Sequence, residues 1–247
     1  MKIFIILLLF KTLARPGLLP AQNIPVYYAS KTSGNITIDR LFNEKDWKNA
    51  PYTEPFVLYL NGEKPVYQTK AKMLWDKQYL YIGFFCEDNN VQATITQRDG
   101  RLFSEDVVEI FCDPDGNGKN YMEIQINPLN TVTDMLLNKP YSEGGRPQLS
   151  WDMEGLKSAT HIMGTLNDPS KADTAWFCEA AMPFEQIFRF DSKGRTRPST
   201  GDTLRILLTR YQYFRSGQEN SEISSWNQTD RRGFHAPDKY GIVILKE

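Results

Sequence analysis

The sequence predicts an all-β fold in a single domain, a sandwich or barrel of antiparallel strands. Three observations carry that expectation. Short runs of alternating apolar and polar residues recur along the chain, bounded by Gly, Pro, Asn and Asp, which is how strands and turns alternate in sandwiches and barrels. Helical periodicity is confined to single turns at "FNEKDWKNA" and "PFEQIF". No internal repeat, low-complexity segment or linker divides the 247 residues, a length within reach of one all-β domain.

The N-terminus, "MKIFIILLLFKTLARPGLLPAQ", reads as a secretory signal over residues 1–21. Lys2 supplies the positive start, and residues 3–10 form an apolar stretch too short to span a bilayer. Cleavage is expected after Ala21, and no cysteine lies near it to take a lipid anchor. The protein is therefore expected to be exported, periplasmic or extracellular, with no membrane span. The folded domain is expected from about residue 30 to 247. Its clearest strands are "TKAKMLWD", "QYLYIGFFCED", "DVVEIFCD", "NYMEIQINP", "TAWFCEAAMP", "DTLRILLTRYQ" and "YGIVIL". Long loops are expected over residues 130–160 and 212–238.

One hairpin is legible in detail. "DVVEIFCDPDGNGKNYMEIQIN" places two alternating strands around an Asp/Gly/Asn turn. With the turn centred near Gly116, Glu109 falls opposite Glu123, Val107 opposite Gln125 and Glu105 opposite Asn127. Alternation puts Val108, Ile110, Cys112, Met122, Ile124 and Ile126 on one face, which must be the core. Glu109, Glu123, Gln125 and Asn127 share the other.

Composition excludes several functions. The 29 basic and 30 acidic residues nearly cancel, and no basic stripe supports nucleic-acid binding. No Gly-rich loop opening a helix offers a phosphate cradle. The three cysteines, Cys86, Cys112 and Cys178, sit in strand-like runs and read as small buried hydrophobes; a Cys86–Cys112 bridge is the other option. His161 reads as structural, and neither histidine has a partner nucleophile in sequence. "DPDGNG" sets Asp113, Asp115 and Asn117 at alternate positions like the start of a calcium loop, but the twelfth position is Ile124 rather than glutamate. A tight turn explains it better, so no cofactor is expected and structural calcium stays open as the alternative. Glu109 and Glu123 could form a glycosidase pair, whose retaining form needs carboxyls roughly 5–5.5 Å apart.

The aromatic residues carry the strongest functional signal. Sugar rings present apolar C–H faces, so aromatic side chains beside carboxylates and amides make a sugar site. Phe103 and Phe234 lie in polar loops, "RDGRLFSED" and "DRRGFHAPD", and Trp151 and Trp226 have similarly polar surroundings. All four could instead cover the ends of the fold. Trp75 and Trp176 belong to the core.

Taken in order, "ITIDRLFNEKDW", "AKMLWDKQYLYIGFFCED", "EDVVEIF" with "YMEIQIN", "WFCEAAMP" and "SWN…FHAPDKYG" resemble the carbohydrate-binding module family 9-like domains. The resemblance spans nearly all of the chain after the signal. It implies an antiparallel, jelly-roll-like β-sandwich in which two aromatic side chains hold a sugar ring, at positions matched here by Phe103 and Phe234. The acidic residue of the family strand matches Glu109, and a basic residue on the next strand is replaced by Gln125. The expected site is therefore Phe103, Glu109, Gln125, Asn127, Arg210, Trp226 and Phe234, with Phe103 and Phe234 stacking on an oligo- or polysaccharide. The expected role is non-catalytic sugar binding in glycan breakdown, alone or beside a glycoside hydrolase. The alternatives are O-glycosyl hydrolysis by Glu109 and Glu123, or a diverged haem-binding sandwich using Met135 or His235.

Overall fold

Among the described residues, thirteen strands follow one another with two five-residue helices between them. They are β1 (Val26–Lys31), α1 (Lys45–Asn49), β2 (Val57–Leu58), β3 (Thr69–Trp75), β4 (Tyr79–Glu87), β5 (Val107–Asp113), β6 (Tyr121–Ile126), β7 (Val132–Leu137) and β8 (Pro147–Gln148). Then come β9 (Lys157–Met163), β10 (Ala175–Pro183), α2 (Phe184–Phe188), β11 (Thr203–Tyr213), β12 (Ser221–Ser225) and β13 (Gly241–Lys246). The computed structural model describes residues 24–214, 221–230 and 232–247, so the export signal expected over residues 1–21 lies outside them.

The strands form one continuous sheet in the order β8-β7-β6-β5-β11-β13-β1-β3-β4-β10-β9, with β12 paired to β11 and to the short β2. The sheet curls so that its two halves share one core. Val108, Ile110 and Cys112 of β5 belong to the same buried cluster as Ile82, Phe84 and Cys86 of β4. The all-β sandwich expected from the sequence is the architecture found. Pairing is antiparallel throughout except at β1, which runs parallel to both β13 and β3. No hairpin joins β1 to either neighbour in sequence, so nothing forces an antiparallel approach. The folded unit also begins a few residues before position 30, because Val26 already pairs with Ile242.

Each of the seven strands read from sequence is present. The residues expected to be long loops hold more structure than their composition suggested. The 130–160 segment contains β7, β8 and the start of β9, and the 212–238 segment contains β12. These strands are short or carry polar residues at buried positions, such as Asp134 in β7. Their alternation is therefore broken before it becomes a pattern. The expected helical turns are α1 and α2. Cys86, Cys112 and Cys178 are all free thiols buried in the core, with no bridge between them.

The central hairpin keeps its predicted faces but not its predicted register. Val108, Ile110, Cys112, Met122, Ile124 and Ile126 all enter the main core. Glu109 pairs with Gln125 and Phe111 with Glu123, rather than Glu109 with Glu123. The turn is centred one residue later than Gly116, which moves every pairing by two and so preserves the faces. Its geometry follows from Asp113, whose carboxylate accepts the N–H groups of Gly116 at 2.9 Å and Gly118 at 2.8 Å. Gly116 and Gly118 both adopt left-handed φ values, +75° and +74°, which glycine takes without a Cβ penalty. Both oxygens of Asp113 thus serve the turn itself.

Candidate functional site

The outer face of β5, β6, β7 and β11 is not a solvated sheet surface. Phe111, Tyr121, Met135, Leu137 and Leu207 form a second buried cluster there with Phe234 and Tyr240. A cleft of about 310 Å³ opens over this face, lined by Phe103, Glu109, Phe111, Glu123, Gln125, Met135, Tyr141, Tyr211, Phe234 and His235. That volume lies at the lower end of the roughly 300–1,000 Å³ usual for small-molecule sites. Two of the larger depressions, of about 680 and 910 Å³, lie near Ile38 and Ser158. No buried carboxylate lines either of them. The smaller cleft alone among these three sets buried carboxylates beside a group of aromatic rings.

The floor is a hydrogen-bonded carboxylate–amide unit. Nε2 of Gln125 donates to Oε1 of Glu109 at 3.0 Å and to Oε1 of Glu123 at 2.6 Å. Thr209, opposite Glu109 on β11, donates its hydroxyl to Oε2 of Glu109 at 2.7 Å. Burial pushes the Glu109 carboxyl well above the usual carboxylate range, and the neighbouring charge of Glu123 pushes it further. Burial likewise raises Glu123 to about 7, against the opposing pull of the Gln125 hydrogen bond. Two neighbouring carboxylates bridged by one amide cannot both ionise cheaply away from water, so at neutral pH the pair tends to retain a proton that the unfolded chain has released.

The walls come from loops. Phe234 packs with ring centroids 5.0 Å from Tyr59, 5.9 Å from Phe111 and 6.0 Å from Tyr211. Its backbone carbonyl accepts the buried Tyr240 hydroxyl at 2.7 Å. Arg232 fastens the same loop by pairing with Asp230 and Asp238, and Gly233 takes a left-handed φ of +70° at the bend. His235 meets the Tyr121 hydroxyl through Nδ1 at 3.0 Å, and its ring centroid lies 4.2 Å from that of Tyr141. Burial lowers His235 to about 4, so it is neutral, and its 3.8 Å approach to Glu123 is not an ion pair. Phe103, in a single 3-10 turn before β5, is the most open of the expected ring pair at 37 % exposure, against 7 % for Phe234. The Arg101 guanidinium lies over it, 5.2 Å from the ring centroid.

Of the seven residues expected from sequence, the fold brings Phe103, Glu109, Gln125 and Phe234 to this cleft and takes Asn127, Arg210 and Trp226 away from it. Asn127 lies past the end of β6 and is fully buried. It donates to the Ile95 carbonyl and to Glu105 and accepts the Thr131 N–H, closing the turn into β7. Arg210 points to the opposite side of β11 and pairs with Asp88 at 2.8 Å. Trp226 is part of the main core, edge-on to Tyr27. Trp151, also weighed as a surface ring, is core as well.

Sequence reasoning passed over Tyr141, Tyr211 and Phe111, and named His235 only as a ligand in the haem-binding alternative. Tyr211 had a usable signal. Leu204, Ile206 and Leu208 alternate into the core, so position 210 faces inward and 211 outward. Tyr141 had none, because it reaches the cleft from a turn after β7 whose position depends on tertiary packing. Elsewhere, carboxylate oxygens of Asp99, Asp134 and Asp152 lie within 4.8 Å of one another, but Arg98 already bridges Asp134 and Asp152. Among the described residues no helix is long and apolar enough to cross a membrane.

The family described as carbohydrate family 9 binding domain-like matches residues 38–247. No curated protein matches the chain. Among solved structures, a Bacteroides uniformis protein described as a candidate carbohydrate-binding protein superposes with a TM-score of 0.69 at 13 % identity, covering 91 % of this chain and all of its own. A carbohydrate-binding module family 9 domain of Caldicellulosiruptor kristjanssonii in complex with cellotriose gives 0.59 at 17 % identity, over 90 % of this chain and 93 % of its own. That organism's family 9 module in complex with glucose gives 0.58 at 16 %, over 90 % and 95 %.

Proposed function

Because this chain belongs to the carbohydrate family 9 binding domain-like family, we propose that it binds an oligo- or polysaccharide, without cleaving it, in the cleft over β5, β6 and β11. The observation that carries the proposal is the coincidence, in one cleft, of aromatic rings with buried carboxylate and amide groups. The rings of Phe103, Tyr211 and Tyr141 offer apolar surface to the C–H faces of a sugar. Glu109, Glu123 and Gln125 present acceptors to its hydroxyls from a floor held rigid by their mutual hydrogen bonds. The cellotriose and glucose complexes of similarly folded modules support a ligand of this size and class.

Rigid floor and loop-borne walls suit binding by a largely pre-formed site, in which little ordering cost is left to the ligand. A glycan array with analysis of the eluted sugars tests the reading. Glycans are expected to bind and to be recovered intact. Phe103→Ala removes an exposed ring with little consequence for the fold, and is expected to weaken binding by about tenfold, the scale of one lost stacking contact of roughly 1–3 kcal/mol. Products of shorter length, abolished by Glu109→Gln, would instead mean hydrolysis.

The proposal extends to export and to a place in polysaccharide breakdown. Lys2 followed by the apolar residues 3–10 supports export. A mature N-terminus at Gln22 in the periplasmic or extracellular fraction is the expected result, and an intact Met1 there would refute it.

A further inference from the structure

Within the sugar-binding reading, we infer that this cleft prefers a glycan bearing a free, protonated amino group over its neutral counterpart. Among the described residues no Lys or Arg lines the cleft. Of the described lining residues His235 alone is basic, and it is held neutral by burial. Two buried carboxylates, Glu109 and Glu123, therefore face the ligand space with no Lys or Arg among the described lining residues beside them.

The hydrogen-bond inventory has the same sign. Oε2 of Glu123 and Oε1 of Gln125 are both buried without a partner, in residues only 4 % and 3 % exposed. The orientation of Gln125 is forced, because two carboxylates can be joined only through its NH2 group. Its carbonyl oxygen is then left as an acceptor with nothing to accept. An ammonium group brings three donors and no acceptor, whereas a hydroxyl brings one donor and adds lone pairs to a floor already full of them. A cation also supplies the charge that the carboxylate pair otherwise obtains by holding a proton. The ring faces of Phe103, Tyr141 and Tyr211 favour a cation above them by the same polarity. Arg101, over Phe103, is exposed at the rim, where solvent screens its charge.

Titration calorimetry of the protein with three β-1,4 disaccharides that differ only at C2 tests this. They are cellobiose with a hydroxyl, the glucosamine disaccharide with an ammonium, and the N,N′-diacetylated form with a neutral amide, at pH 6.5 and low salt. The glucosamine disaccharide is expected to bind about tenfold tighter than cellobiose, the size of one partly desolvated cation–π and charge contact. That ratio should shrink in high salt and fall toward one in Glu123→Gln, whose fold is checked by circular dichroism. The salt series on the unaltered protein keeps the test decisive if the variant does not fold.

Cellobiose bound as tightly as the glucosamine disaccharide would overturn the amino-sugar preference and leave sugar binding standing. So would equal binding of the diacetylated form, which would trace the preference to shape at C2. Failure of all three, and of xylobiose and glucose, would overturn the sugar-binding reading with it.

Discussion

Replacing Arg210 by methionine is expected to destabilise the protein by about 3–5 kcal/mol, the usual cost of removing one partner from a buried ion pair. Arg210 is 1 % exposed. It donates to the Thr69 hydroxyl at 3.1 Å, the Glu87 carbonyl at 2.6 Å and Asp88 at 2.8 Å, and also to Gln212. Asp106 is fully buried nearby and accepts the N–H groups of Gln92 and Tyr213, each at 2.8 Å. Burial raises both Asp88 and Asp106, and the Arg210 charge opposes that rise in each. Without the guanidinium both acids rise further.

A carboxyl whose folded value lies above its unfolded one holds its proton longer in the folded state. Its contribution to stability is complete below the unfolded value near 4 and is lost as pH rises through the folded one. The Arg210→Met deficit is therefore expected to be larger at pH 8 than at pH 5, read from urea unfolding midpoints at each pH. Glycan affinity per folded molecule should stay within about twofold, since Arg210 lies on the far side of β11 from Tyr211. A stable variant that no longer binds glycan would return Arg210 to the site.

Trp226→Ala is expected to cost a similar amount, about 3–5 kcal/mol, by emptying the largest kind of core volume. In a chain of this size that corresponds to a fall in melting temperature on the order of 10 °C. Trp226 is 5 % exposed, and it closes over Gly241, where a Cβ would stand 2.4 Å from the indole ring. Glycine at 241 is thus a matter of space: it lets the last strand pass directly beneath the tryptophan. Trp226→Phe should recover part of the loss in a thermal melt. Loss of glycan binding with no change in melting temperature would contradict the core assignment.

These two residues show where sequence reasoning and fold part. Trp226 is drawn to the site by polar neighbours, the Asn-Gln-Thr-Asp run after it, and Arg210 by its capacity to donate hydrogen bonds. Polar neighbours say that a segment reaches the surface near a sheet edge or loop. They do not say which way one side chain turns. For Arg210 the alternation of Leu204, Ile206 and Leu208 already held the answer. For Trp226 nothing local did, because the space it fills is made by Gly241 and by Tyr27 at the other end of the chain.

What the sequence by itself determined is the class of fold, the strands that build it, the faces of the central hairpin and, by resemblance, two aromatic positions, Phe103 and Phe234, that both line the cleft. All of these follow from alternation, turn chemistry and family resemblance, which act over a few residues or are preserved as a pattern along the chain. Only the tertiary structure decided the register of Glu109 against Gln125, the burial of the outer face, and the arrival of Tyr141 and His235 around it. Register depends on where a turn is centred, and a shift of one residue there leaves the faces unchanged and so leaves no trace in the pattern. The strands lay the floor of the cleft, and loops far apart in sequence close over it, their meeting fixed by packing energy that no short stretch of residues contains.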